Sequence, residues 1–118
     1  NIFEMEVRGK KFLIVGDMRE LGDFTRDAHA EIGEQAGRTG FATIWYIGQN
    51  SEAFALGLKR SGATSEWMSS ENLDSQLAKQ FYAQLKDGDL VAIKASRGMA
   101  LERVLADWPL IDSLGKKP

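Results

Sequence analysis

Two stretches decide the fold: Lys11-Phe12-Leu13-Ile14-Val15-Gly16-Asp17-Met18-Arg19-Glu20-Leu21-Gly22 and Leu90-Val91-Ala92-Ile93-Lys94-Ala95-Ser96-Arg97-Gly98-Met99. In each, an unbroken apolar run stops in a polar, charged segment that carries glycine. A short apolar run without alternation is the pattern of a strand covered on both faces, as in a parallel sheet. In open α/β sheets, ligands bind just past the carboxyl ends of strands, where the direction of winding reverses. Two strands ending this way point to a shared crevice. The remaining strand ends are plainer.

Working outward, the first strand (residues 11–15) leads through Asp23 or Thr25, either of which can cap a helix. Ala28, Ile32 and Ala36 recur every four residues as that helix's inner face, and Gly40 stops it. Residues 42–47 read as the second strand, closed by Gly48. Asn50 or Ser51 opens a second helix, in which Phe54 and Leu58 face one way, and Gly62 ends it. A short third strand is expected at 64–68. Ser69 or Ser70 then starts a helix with Leu73, Leu77, Phe81 and Leu85 in register. Asp87-Gly88-Asp89 turns into the fourth strand, residues 90–93. A last helix is expected from Ser96, with Leu101, Val104, Leu105 and Trp108 as its buried stripe and Pro109 as its limit. Residues 110–118 are weakly patterned, either an extra edge strand or a loose end.

Strand–helix alternation throughout implies a parallel sheet with right-handed crossovers. The expected architecture is a Rossmann-like, three-layer α/β/α domain over residues 1–118 with strand order 3-2-1-4. Residues 1–8 read as the end of a preceding segment. This order sets strands one and four side by side and brings the two opening segments to one mouth.

Composition narrows the function. The 118 residues are 43% hydrophobic and 27% charged, which is a globular balance with enough chain for a core. A formal net charge of −2 argues against a strongly basic nucleic-acid binder. With no cysteine, disulfides, thiolate metal sites and cysteine nucleophiles are excluded. No apolar run reaches the roughly 18 residues of a membrane span. There is no G-x-x-x-x-G-K-[ST] loop, no G-x-G-x-x-G after the first strand and no G-x-S-x-G elbow.

The second segment holds the sharper candidates. Ser96 falls where the last helix begins, and a helix start attracts carboxylates and phosphates. Gly98 keeps the backbone accessible, while Lys94 and Arg97 add positive charge, with arginine able to grip a carboxylate through paired hydrogen bonds. Two readings stand: an anion or peptide-carboxylate site, or a capping serine beside solvated charges. In the first segment, Asp17 is placed either to accept hydrogen bonds from sugar hydroxyls or to cap a backbone turn. His29, the sole histidine, sits beside the inner stripe of the first helix and reads as a structural side chain. Trp45, Trp67 and Trp108 lie in hydrophobic patterns and read as core.

Gly16-Asp17-Met18, Glu20-Leu21-Gly22, His29 and Gly33, followed by Gly88-Asp89, Lys94, Ser96-Arg97-Gly98-Met99 and Glu102-Arg103-Val104, resemble the Mur ligase family in order and spacing. The likeness is to members that join D-Ala-D-Ala to UDP-N-acetylmuramoyl-tripeptide. It spans residues 10–108 and corresponds to the carboxy-terminal domain of the family's three. Ala95 departs from the family's usual glycine.

The resemblance implies part of a cytoplasmic, ATP-dependent amide ligase of peptidoglycan synthesis. ATP activates the tripeptide carboxyl group as an acyl phosphate, and the dipeptide amine displaces phosphate. ATP and magnesium are held mainly in a central ATPase domain, against which this domain packs as a closing lid. The isolated domain is expected to be inactive, with no catalytic residue of its own. Asp17 corresponds to an acid near the ATP ribose. Ser96 and Arg97 correspond to the loop facing the incoming acceptor, with Lys94 and Gly98 in the same loop. Neither nucleic acid nor membrane is an expected partner. Two rival readings are a free-standing flavodoxin-like module that binds an anion or partner without catalysis, and a purely structural domain.

Overall fold

The computed structural model describes residues 9–18 and 25–94. Within them run β1 (Lys11–Gly16), α1 (Thr25–Thr39), β2 (Thr43–Ile47), α2 (Ser51–Arg60), β3 (Glu66–Ser70), α3 (Ser75–Ala83) and β4 (Leu90–Lys94). The strands form one sheet in the order β3-β2-β1-β4, and every pairing is parallel. The expected order is the observed one. It follows from the hydrophobic pattern: the β2 run Thr43-Ile44-Trp45-Tyr46-Ile47 is buried at every position, so it needs a strand on each edge and a helix layer on each face.

Alternate side chains sort into the two layers. Phe12, Ile14, Trp45, Ile47 and Val91 pack with Ala78 and Phe81 of α3. Leu13, Val15, Ile44, Tyr46 and Ala92 pack on the opposite face with Ala36 of α1 and with Phe54 and Leu58 of α2. Each fully buried large side chain contributes about 1.5–3 kcal/mol of transfer free energy. The α1–α2 contact depends on glycine. A Cβ on Gly57 would run into the Ala30 carbonyl oxygen, and one on Gly33 into that of Phe54. The two helices thus approach backbone to backbone.

Three local expectations need correction. The third strand runs 66–70 rather than 64–68, because its pairing with β2 continues through Tyr46↔Ser69 and Ile47↔Ser70. The third helix consequently starts at Ser75, not at Ser69 or Ser70. Asp74 is its N-cap, its carboxylate accepting from the Leu77 N–H at 2.9 Å. Leu73 and Leu85 lie outside this helix yet still pack on the same cluster, so the four-residue repeat recorded burial more faithfully than helix length. Trp67, read as core, is 37% exposed. It lies on β3, the strand paired only with β2 among the described residues, and its ring stacks on Phe54 with centroids 5.7 Å apart. The expected last helix, the tail after it and the preceding segment 1–8 lie outside the described residues.

Candidate functional site at the carboxyl edge of the sheet

β1 and β4 are direct neighbours, with Val15 in register with Lys94. The chain therefore leaves both strands at the same edge of the sheet. The reversal of winding in a 3-2-1-4 sheet falls between these strands, the place where α/β folds bind ligands. Lys94 ends β4, and Asp17 follows β1 immediately. Ser96, Arg97 and Gly98, the other candidates of the second segment, lie outside the described residues.

Asp17 has the densest set of partners at this edge. Its Oδ1 accepts from the Tyr46 hydroxyl at 2.6 Å, the Asn50 amide side chain at 2.9 Å and the Asn50 backbone N–H at 3.1 Å. Its Oδ2 accepts from the Gln49 backbone N–H at 2.9 Å. Burial alone would push the Asp17 carboxyl upward. The bonds from Tyr46, Gln49 and Asn50 outweigh it and hold the group below the ordinary aspartate range. The same contact acts oppositely on Tyr46. Burial, then the bond to Asp17 and its charge, raise the phenol and keep its proton in place as the donor.

Glycine permits this arrangement. Gly48 adopts φ +143°, and a Cβ there would lie 2.5–2.6 Å from the carboxylate atoms of Asp17. Gly48, Gln49 and Asn50 thus fold around the acid. The turn-capping reading of Asp17 is realised in the contacts, and Oδ2 retains acceptor capacity beyond its bond to Gln49.

His29 fixes the other side of the same dipeptide. It is 1% exposed on α1. Its Nε2 accepts from the Met18 backbone N–H at 2.9 Å, and its Nδ1 lies 2.6 Å from the Thr25 carbonyl oxygen. A carbonyl only accepts and an amide N–H only donates, so Nδ1 carries the proton and the ring is the neutral tautomer. The structural reading of His29 holds. Asp17 and Met18 are tied to the β2–α2 turn on one side and, through His29, to α1 on the other.

Tyr46, Gly48, Gln49 and Asn50 were missed as site residues because the end of β2 looked plain in sequence. The available signal was Gly48-Gln49-Asn50, a glycine and two amides at the carboxyl end of the strand beside β1. Among the described residues, no group of three or more His, Asp or Glu side chains is placed to hold a metal ion. No helix among them is long and apolar enough to cross a membrane.

No protein-family model matches the chain. It is 32% identical over 109 residues to the UDP-N-acetylmuramoyl-tripeptide--D-alanyl-D-alanine ligase of Bacillus subtilis, covering 92% of this chain and 23% of the relative. The Escherichia coli ligase of the same name is 30% identical over 100 residues, covering 85% and 21%. Among solved structures, a MurF ligase from Thermotoga maritima in complex with ADP superposes with a TM-score of 0.65 at 33% identity, covering 86% of this chain and 22% of that one. A MurF from Acinetobacter baumannii gives a TM-score of 0.66 at 20% identity over 87% and 22%, which speaks to the fold alone. The chain spans about a fifth of the length of the curated relatives it matches. These matches lend no support to a free-standing flavodoxin-like module.

Proposed function

Since this chain belongs with the carboxy-terminal domain of Mur ligases of the MurF type, we propose that it is the substrate-closing domain of an ATP-dependent ligase. That ligase adds D-Ala-D-Ala to UDP-N-acetylmuramoyl-tripeptide in cytoplasmic peptidoglycan synthesis. The observation that carries this reading is the match over 92% of the chain to a ligase of that name. The parallel edge where β1 and β4 end side by side supports it, as does a homologous fold in a structure with ADP.

In this reading Asp17 meets the nucleotide ribose through the acceptor capacity left on Oδ2. Ser96 and Arg97, with Lys94 and Gly98 beside them, face the carboxylate of the incoming dipeptide. The family likeness assigns the metal and the phosphate chemistry to the central domain of the parent enzyme. This chain contributes orientation of reactants and exclusion of water, which act on the barrier by fixing the geometry of attack.

The test is steady-state kinetics of the full-length protein that carries this chain. Replacing Ser96 and Arg97 together with alanine should raise KM for D-Ala-D-Ala at least tenfold and leave KM for ATP within twofold. Near-normal ligation kinetics in that variant would remove the acceptor-site assignment.

A further inference from the structure

We infer that Tyr46 and Asn50 are positioning residues for nucleotide binding, acting through Asp17; this rests on the reading that Asp17 contacts the ribose. The observation behind it is a local rule broken in α2. Asn50 occupies the N-cap of that helix, where an asparagine side chain ordinarily accepts from a backbone N–H of the first turn. Here it makes no such bond. Its Nδ2 is turned to Asp17 Oδ1 instead, at 2.9 Å. The helix forgoes the side-chain cap that an asparagine at this position ordinarily supplies.

A turn-capping aspartate would need only the backbone N–H groups of Gln49 and Asn50, and both are already bonded to it. The two side-chain donors come in addition to the turn's own backbone bonds. They converge on Oδ1, which among the described residues carries three donors while Oδ2 carries one. Tyr46 is fully buried, and its ring is wedged against Phe54 at 5.1 Å and His29 at 6.4 Å between centroids. Its hydroxyl is therefore a fixed point. Saturating one oxygen from rigid donors sets the carboxylate's rotation and leaves the other oxygen as the acceptor offered to a ligand. A local capping rule given up for a contact across the sheet is expected at functional positions.

The experiment compares Tyr46→Phe, Asn50→Ala and Asp17→Asn, and the double variant Tyr46→Phe/Asp17→Asn, in the full-length protein, with KM for ATP, KM for D-Ala-D-Ala and kcat measured separately. Tyr46→Phe and Asn50→Ala should each raise KM for ATP about three- to tenfold, with kcat and KM for the dipeptide within twofold. Asp17→Asn should raise KM for ATP by more, and adding Tyr46→Phe to it should change little, because both act through one carboxylate. Asn50 is half-buried beside the exposed Gln49, so its variant reports even if Tyr46→Phe folds poorly. If Asp17→Asn raises KM for ATP while neither Tyr46→Phe nor Asn50→Ala does, the positioning role is overturned and the ribose contact stands. If Asp17→Asn leaves KM for ATP unchanged, the ribose contact falls and the positioning role with it. A fall in kcat together with a comparable rise in both KM values would mark these residues as structural only and would also overturn the inference.

Discussion

Replacing Tyr46 with phenylalanine deletes one oxygen from a ring that is otherwise unchanged in volume. The ring keeps its contacts with Phe54 and with the β1 and β4 side chains of the same cluster. What disappears is the 2.6 Å bond to Asp17. Hydrogen bonds to charged acceptors are worth about 1.5–3 kcal/mol net, and the partial exposure of Asp17 places this one at the lower end. A loss of about 1.5 kcal/mol at neutral pH is the expected value. It should appear in urea unfolding as a lower midpoint with an unchanged slope.

The pH dependence gives the sharper check. Asp17 titrates below its ordinary value of 3.8 in the folded protein. A carboxyl whose folded value is depressed contributes stability above its unfolded value, and that contribution is lost as pH falls through the folded value. The gap between the native protein and Tyr46→Phe should therefore be full above about pH 5 and should narrow below 3.8, toward the roughly 0.5–1 kcal/mol of a neutral bond. A gap that is absent at pH 7, or constant from pH 7 to pH 3, would refute the account of Asp17 as an ionised acceptor stabilised by Tyr46.

Gly57→Ala tests the backbone contact between α1 and α2. Alanine gains about 1 kcal/mol in helix propensity, but its Cβ meets the Ala30 carbonyl oxygen, which cannot yield without moving α1. A net destabilisation of about 1–3 kcal/mol is expected by thermal melting, and a neutral or stabilising result would contradict the packing described. His29→Leu keeps the buried volume but removes the bond that the ring accepts from the Met18 N–H and the one it makes to the Thr25 carbonyl. It should lower stability by about 2–4 kcal/mol. Amide hydrogen exchange should show Met18 losing protection first; unchanged protection there would mean that the ring does not hold this N–H.

The sequence alone determined the fold class and the strand order. The apolar runs at 11–15 and 90–93, with glycine-bearing polar ends, can be satisfied only by strands buried between two helix layers. Strand–helix alternation with right-handed crossovers then leaves few ways to order them. It also named Asp17 and His29, because an acid after a central strand and a lone histidine beside an apolar stripe are visible in one dimension. Boundaries at β3 and α3 were misplaced because a periodic stripe marks which residues are buried, not where the backbone changes conformation. Only the pairing with β2 and the Asp74 cap fix those points.

What Asp17 does at the end of β1 was decided by tertiary structure. Its partners Tyr46, Gln49 and Asn50 are 29, 32 and 33 residues away and meet it only because β2 lies beside β1. Nothing local to Asn50 reveals that its side chain abandons its own helix, and nothing local to Tyr46 reveals that its hydroxyl faces an acid. Sequence patterning reports what each segment needs to bury. Which polar groups then satisfy one another depends on distances across the sheet, and those exist only once the chain is folded.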